Sequence, residues 1–250
     1  IELRLDWRLL GYSLTQPWKS RSNRKQESFN QEAASRTEQF LATEFVPSLR
    51  ESLSSFIRDF DLYVDPDDSQ TVLFTYPQIF TDKSLLQEIR LEIGPLAAWS
   101  PSADKPITPY IAEEFPKAFR VPSTLVRTVE AKRTFWEKAT ILHREANRKN
   151  GRLPLRYSRH YYDLHMLCNT SIKREALEDI ELLYKVVAFK DKFFHCAWAK
   201  YEEALPATLR LVPPNNVVKK LEEDFEKMKP MIFGSVPSFE RILATLREFE

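Results

Sequence analysis

Glycine is scarce in this sequence, and its scarcity excludes several classes of enzyme. Only four of the 250 residues are glycine, and each stands alone. Loops that cradle phosphate groups need glycine, because their backbone approaches the ligand closely or takes a positive φ. The sequence also contains no GxxxxGK[ST], GxGxxG, GxSxG or HExxH motif. It therefore lacks the usual signatures of P-loop NTPases, Rossmann enzymes, α/β-hydrolases and zincin metalloproteases.

Long apolar runs and paired cysteines are also missing. The sequence has no run of about 18 apolar residues, which excludes a conventional transmembrane helix. Cys168 and Cys196 form no CxxC motif, so we expect no disulfide framework and a reducing, cytoplasmic compartment. The chain begins with Ile1 and not with methionine, and we expect either a fragment or a start that lies upstream.

Positive charge is concentrated in one segment of the chain. The net charge of the whole chain is only +1. Between Lys117 and Arg159, however, twelve lysines or arginines accompany three acids, which gives +9 in this segment and −8 elsewhere. A local excess of this size is typical of a site for phosphate, nucleotide or nucleic acid. The alternative is a solvated helix face.

The N-terminal part of the chain combines strands with one long helix. Apolar and charged residues alternate from Ile1 to Arg8, which predicts a half-buried strand with a charged face. A second alternating strand is predicted at 88–93. Apolar residues spaced by three or four between Gln26 and Phe60 predict a helix that bends at Pro47. Two short strands are predicted around a turn at Asp65, over residues 62–64 and 72–76.

The C-terminal part is predicted to be helical. Residues 95–122 contain six prolines, which predicts a loop-rich segment with one short helix near 111–118. A last strand is predicted at 125–129. We therefore predict an α+β fold with an α/β domain over residues 1–130 and a helical domain over 131–250. The predicted helices of the second domain span 131–147, 158–169, 172–193, 216–229 and 238–249.

Carboxylates on the two alternating strands are candidate metal ligands. Metal-assisted phosphoryl transfer uses carboxylates that hold two divalent cations about 3.5–4 Å apart. Glu2 and Asp6 are separated by about 13 Å along one strand, which is too far to hold the same pair of ions. Glu92 is the natural partner of Glu2 if their strands are neighbours. The alternative is that these acids serve only solubility.

Residues 133–167 predict two helices joined by a basic loop. These helices should bring Lys138, Asp163 and several arginines into one neighbourhood. The alternatives are that Lys138 faces solvent and pairs along its own helix, and that Arg159 and Asp163 form a structural i, i+4 pair. The histidines show no metal-ligand spacing, so we interpret them as structural. The aromatic residues of the two helices are expected to be core residues: Phe135, Trp136, Tyr161 and Tyr162.

The order of these features resembles the AbiEii/AbiGii toxin family of minimal nucleotidyltransferases from type IV toxin–antitoxin systems. The resemblance covers nearly the whole chain. It is carried by IELRLDWRLLGY at 1–12, LEI at 91–93, RTFWEKA at 133–139, RHYYDL at 159–164, and LEEDFEKM at 221–228 with the helix that follows.

The resemblance implies a fold, a reaction and a set of site residues. The fold would be a polymerase-β-like nucleotidyltransferase sheet followed by an α-helical half. The reaction would be Mg²⁺-dependent transfer of a nucleoside monophosphate from a nucleoside triphosphate to an RNA, such as tRNA, or to a protein, in a bacterial cytoplasm. A cognate antitoxin would be a partner. Glu2 and Glu92 would bind two metal ions, Lys138 and Arg159 would bind the triphosphate, and Asp163 would orient the site.

The sequence departs from the family pattern at its start. The Gly-Ser turn and the first acid of the D-x-[DE] metal pair would lie before Ile1, and Glu2 stands where aspartate is more usual. The chain as it stands is therefore expected to be inactive. One alternative is a pseudoenzyme, or a module that binds RNA or a partner through the basic helices 131–165. Another is a HEPN-type ribonuclease using Arg159 and His165, although six residues on a helix separate two side chains by about 240°.

Overall fold

A four-stranded mixed sheet organises the N-terminal unit of the protein. The computed structural model describes residues 1–78, 87–96 and 99–250, which form two compact units, Ile1–Trp99 and Ser100–Glu250. The sheet has the order β1-β4-β3-β2, in which β1 is parallel to β4 and the other neighbours are antiparallel. Its strands are β1 (Glu2–Arg4), β2 (Asp61–Asp65), β3 (Asp68–Thr75) and β4 (Glu88–Gly94).

The first strand is shorter than its alternating pattern predicts. Its regular pairing ends at Arg4, and a short 3₁₀ helix follows at Trp7–Leu10. Asp6 begins this helix, because its carboxylate accepts a hydrogen bond of 2.9 Å from the backbone N–H of Arg8. The alternation nevertheless fits the burial, since Leu5 and Trp7 are both buried.

The predicted long helix is two helices joined by one wider turn. The helix α1 spans Asn23–Phe40, the π-helical turn spans Leu41–Phe45, and α2 spans Val46–Ser54. Pro47 has no N–H to donate and its ring crowds the preceding turn, so the chain widens just before it. The helix also ends at Ser54, six residues before the predicted end. Phe60 instead stacks on Phe74 of β3, with ring centroids 5.6 Å apart.

A two-stranded hairpin opens the second unit, in a segment that the proline content predicted to be loop. The strands β5 (Ser102–Ile107) and β6 (Thr124–Val129) are antiparallel. Pro106 lies opposite Leu125 in this ladder, which a hairpin tolerates because each strand has one free edge. The prediction of β6 was correct and the omission of β5 was wrong. The short helix α3 (Tyr110–Glu114) lies between the two strands.

Helices form the rest of the second unit, and one predicted helix proves to be two. The chain breaks at Asp179, which leaves the helical region with φ −117° and ψ 61°. Its carboxylate accepts a hydrogen bond of 2.7 Å from Lys132 Nζ. The sequence carries no glycine or proline there, but Asp179 stands at the N-cap of the next helix, a position that aspartate favours. The helices are α4 (Ala131–Ala146), α5 (Ser158–Cys168), α6 (Ser171–Glu178), α7 (Ile180–Phe193), α8 (Asn215–Met228) and α9 (Phe239–Phe249).

The helix α4 is the centre of this unit, packed against α5, α6 and α7. Its Phe135 and Trp136 are fully buried, and the Trp136 indole donates a hydrogen bond of 3.2 Å to the carbonyl of Ala176. Tyr161 of α5 is also buried, and Tyr162 packs on Phe225. The prediction that these aromatic residues belong to the core is confirmed for Phe135, Trp136 and Tyr161, whereas Tyr162 is half-buried.

The division into units differs from the predicted boundary between residues 130 and 131. The compact units divide between Trp99 and Ser100, because the hairpin runs directly into α4. The backbone N–H of Glu130, which begins α4, donates to the carbonyl of Pro101 at 2.9 Å. Within the three described ranges, no helix is both long and apolar enough to cross a membrane. Both cysteines are free thiols.

Candidate active site

The structure places Glu2 and Glu92 side by side on one face of the sheet. They are directly paired residues of the parallel strands β1 and β4. Paired residues on neighbouring strands, about 4.8 Å apart, point to the same face. Thr71 of β3 is the antiparallel partner of Glu92 and extends this row across a third strand. The adjacency on which the metal hypothesis depends is therefore present.

The two carboxylates differ in their surroundings. Glu2 is paired with Arg4 Nη2 at 2.6 Å, and its side chain is 62% exposed. The side chain of Glu92 forms no ion pair or hydrogen bond with any residue in the described ranges. Asp6 does not join them, because hydrogen bonds from Arg8 lower its pKa to about 2 and commit it to the following helix.

The donors present fit a divalent cation in kind but not in number. Carboxylate oxygens are the ligands that Mg²⁺ prefers, and Glu2 and Glu92 supply two groups at adjacent positions. No group of three or more His, Cys, Asp or Glu that could hold a metal occurs among the residues the structure describes. The metal role of Glu2 and Glu92 stays a prediction.

In the second unit, Lys138 of α4 and Asp163 of α5 are in direct contact. Lys138 Nζ lies 2.7 Å from Asp163 Oδ2 and 3.2 Å from His160 Nδ1. His160 and Asp163 are three residues apart, so they share a face of α5 and approach the ammonium together. The side chain of Lys138 is only 20% exposed. The alternative in which Lys138 faces solvent and pairs along its own helix is therefore wrong.

His160 holds the lysine as a neutral acceptor. Burial, with the charges of Lys138, Arg159 and Lys190, lowers the pKa of His160 to about 3. The imidazole is thus uncharged near neutral pH, and its Nδ1 accepts a hydrogen bond from Lys138 Nζ. An ammonium has three N–H donors, and Asp163 and His160 use two of them. The third has no partner among the residues that the structure describes.

Sequence reasoning missed His160, which it interpreted as a structural residue. The signal was its position three residues before Asp163, on the helix face that meets α4. Without the packing of α4 on α5, the sequence offers no reason to choose His160 over His165. The structure separates them, because His165 Nδ1 lies 2.9 Å from Thr245 Oγ1 of α9.

Arg159 is exposed at the start of α5 and does not pair with Asp163. The predicted i, i+4 pair is wrong, since Asp163 binds Lys138 instead. The charge of Arg159 is still close enough to depress the pKa of His160. The ribonuclease alternative fails on geometry, because Arg159 is exposed while His165 is buried against α9.

The positive segment 117–159 is partly neutralised inside the fold. Arg133 is buried and pairs with Glu137. Arg148 pairs with the buried carboxylate of Glu145 and lies over the Trp198 ring at 4.3 Å. The segment is therefore not uniformly exposed, and its interpretation as a site for phosphate or nucleic acid stays a prediction. The cations that remain exposed in the loop after α4 and at the start of α5 are Lys149, Arg152, Arg156 and Arg159.

Comparison with known protein families matches residues 12–245 to a family described as the nucleotidyl transferase AbiEii toxin of type IV toxin–antitoxin systems. Glu92, Lys138, Arg159 and Asp163 lie within the matched range, and Glu2 precedes it. No curated protein and no solved structure matches the chain.

Proposed function

The chain belongs to the AbiEii nucleotidyl transferase toxin family, and we propose that it transfers a nucleoside monophosphate from a nucleoside triphosphate to an RNA, such as tRNA, or to a protein. The family is that of the toxin in type IV toxin–antitoxin systems, which implies a nucleotide substrate and a cognate antitoxin. The observation that carries the proposal is the cluster of Lys138, His160 and Asp163. It offers a positioned cation with one donor available for phosphate.

Lys138 would bind the triphosphate as a compact point charge. Asp163 and His160 would fix the ammonium before the substrate arrives, so that little reorganisation accompanies binding. Arg159, exposed on the same helix, would supply a second cation. A carboxylate beside a lysine also prevents the site from carrying excess positive charge when it is empty.

Glu2 and Glu92 would hold Mg²⁺ on the sheet face, as in a polymerase-β-like nucleotidyltransferase. The bound ion would stabilise negative charge on the phosphoryl oxygens. Support comes from the mixed sheet, in which parallel pairing of β1 and β4 brings the two acids to one face. Arg4 would have to release Glu2 for both carboxylates to bind the ion.

The second candidate is a binding module that lacks catalysis. It is favoured by the small donor set on the sheet, because no group of three or more His, Cys, Asp or Glu that could hold a metal occurs among the residues the structure describes. Such a module would still hold RNA or a partner through the exposed cations in the loop after α4 and at the start of α5.

Label transfer tests the proposal. Full-length protein is incubated with α-labelled nucleoside triphosphates, Mg²⁺ and either total RNA or total protein. We expect label on one acceptor class, and about a 100-fold loss with Lys138→Ala, equivalent to roughly 2.7 kcal/mol of transition-state stabilisation. Lys185→Ala, at an exposed lysine of α7, is the matched control and should leave the rate unchanged.

Two outcomes would count against this assignment. Absence of label on every acceptor with each nucleotide would reject the transferase and favour the binding module. Transfer at the normal rate by Lys138→Ala would reject the role of Lys138 alone.

A further inference from the structure

A cleft of about 630 Å³ lies between the loop that follows α4 and the helix α8. Ligand pockets usually measure about 300–1,000 Å³, so the cleft is of a size to hold one or two nucleotides. The charged residues that line it are Arg148, Arg152, Lys220, Lys227, Glu223 and Asp224.

The cleft presents more available cations than carboxylates. Asp224 is used by the fold, because it accepts hydrogen bonds from the backbone N–H groups of Arg156 and Ser158 and from the Ser158 hydroxyl, at 2.7–2.9 Å. Arg148 is bound to Glu145. Three exposed cations therefore remain against the two carboxylates of Glu223 and Asp224: Arg152, Lys220 and Lys227.

The loop wall of the cleft is held in a fixed shape. Gly151 takes a positive φ of 62° and its carbonyl lies 3.4 Å from Lys220 Nζ. The Asn150 side chain accepts a hydrogen bond of 3.0 Å from the backbone N–H of Arg152. Leu155, also in the lining, is 91% exposed and offers an apolar surface to the face of a base.

The cleft is connected to the helix α5, which carries His160 and Asp163, through Asp224 of its lining. Ser158, which Asp224 anchors, is the first residue of α5. Asp163 follows five residues later, about 7.5 Å along the helix axis at 1.5 Å per residue. Arg159 lies between them on the same helix. A strand that leaves the cleft along α5 would therefore meet Arg159 before it reached Asp163.

We propose that this cleft binds the sugar-phosphate backbone of the RNA that accepts the nucleotide. The inference rests on the proposed function and narrows its acceptor to RNA. Spaced cations, an exposed apolar side chain and the further cations Lys149, Arg156 and Arg159 along the path suit a flexible phosphodiester chain. Competition with an acidic polypeptide distinguishes the other occupant, an acidic protein segment.

Binding of a fluorescently labelled single-stranded RNA, measured by anisotropy over a series of salt concentrations, tests the proposal. The test variant combines Arg152→Ala, Lys220→Ala and Lys227→Ala in the full-length protein. We expect at least tenfold weaker binding. The slope of log affinity against log salt should fall by about 2, since each phosphate contact to a single strand contributes roughly 0.7.

The control variant combines Lys173→Ala, Lys185→Ala and Lys219→Ala, which removes the same charge. Lys219 precedes Lys220 on α8 and does not line the cleft. The slope of log affinity against log salt should fall in the control by less than half as much as in the test variant. Equal affinity and equal slope for the test variant and the wild type would overturn the proposal. So would equal losses in the test and control variants, or displacement of the RNA by polyglutamate of the same charge at the same concentration.

Label transfer separates this inference from the proposed function. If the cleft holds the acceptor, the test variant should raise the KM for RNA at least tenfold while the KM for the nucleotide stays unchanged. If no variant and no wild-type protein transfers label, the transferase fails and the binding measurement alone decides whether the cleft holds RNA. If transfer proceeds to RNA with an unchanged KM in the test variant, the cleft proposal fails and the transferase stands.

Discussion

The sheet of the first unit and the helix pair of the second position their candidate residues by different means. Glu2 and Glu92 are neighbours because β1 and β4 pair in register, so the backbone sets their positions. Lys138 is held by two side chains from another helix, Asp163 and His160. The backbone therefore sets the positions of the two acids, whereas contacts with Asp163 and His160 hold the side chain of Lys138.

This difference separates function from stability. The side chain of Glu92 makes no ion pair or hydrogen bond within the described residues. Its removal should therefore leave the stability of the fold unchanged. Removing a member of the helix cluster alters a partly buried set of charges, and both activity and stability should respond. The following substitutions test this separation, beginning with the largest expected effect.

Glu92→Gln should reduce transfer by about 100-fold or more, because a metal ligand supplies several kcal/mol of transition-state charge stabilisation. The unfolding midpoint in urea should stay within error of the wild type. Glu88→Gln is the control, since Glu88 lies on the same face of β4 and pairs only weakly with Arg90 at 3.5 Å. Full activity in Glu92→Gln would remove Glu92 from the site, and a large loss of stability would show that contacts position it.

Asp163→Asn should reduce transfer by about tenfold, because Lys138 keeps its hydrogen bond to His160 but loses the charged partner that fixes its direction. The free energy of unfolding should fall by at most about 1 kcal/mol, since the carboxylate is partly exposed. Urea unfolding and steady-state transfer rates measure the two effects. The control is Asp191→Asn on α7, which removes an exposed carboxylate that pairs with His195. It should change neither the transfer rate nor the free energy of unfolding.

The two units also differ in how far the sequence predicted them. Alternation assigns each strand residue to one of two faces, so Glu2 and Glu92 could be grouped before their strands were known to be neighbours. Pro47 correctly predicted a disturbance in the long helix. The strand at 102–107 was missed because Pro106 is unfavourable in a strand, and a free hairpin edge removes that objection only once the partner is known.

The helical unit shows what the sequence could not provide. The break at Asp179 has only a weak local signal, an aspartate at the N-cap of α7, and the ion pair of Asp179 with Lys132 is not visible in the sequence. The exposure of each cation in the basic segment was likewise not visible in the sequence. A sequence counts Arg133 and Arg148 as surface charge, whereas the structure buries Arg133 and half-buries Arg148 against acids of α4. Ion pairs between side chains decide which cations stay exposed to a ligand. The periodicity of the sequence does not show these pairs.

Acid should destabilise the helix cluster through His160. Its pKa in the folded protein, about 3, lies below the ordinary 6.5, so the unfolded chain takes up a proton first as pH falls. The stability from the neutral imidazole is complete above about pH 6.5 and is lost as the pH falls toward 3, at up to about 1.4 kcal/mol per pH unit.

His160→Gln isolates this effect, because an amide accepts from Lys138 and does not titrate. Between pH 7 and pH 4.5 the wild type should lose about 2 kcal/mol more stability than the variant, measured by urea unfolding at each pH. Burial also lowers the pKa values of His143 and His165, so the variant should retain part of the acid sensitivity. Equal losses in both proteins would show that His160 is not held neutral.

Arg4→Ala, on the sheet face, should have the smallest effect on activity and stability. Arg4 pairs with Glu2 at the surface, and such pairs contribute at most about 1 kcal/mol, so the free energy of unfolding should change by less than about 0.5 kcal/mol. If Glu2 binds Mg²⁺, release from Arg4 should lower the Mg²⁺ concentration for half-maximal transfer, by less than tenfold. Arg8→Ala is the matched control, because Arg8 pairs with Asp6 in the same manner beyond the end of the strand. A higher Mg²⁺ requirement in Arg4→Ala would mean that the arginine assists the site and does not compete for its carboxylate.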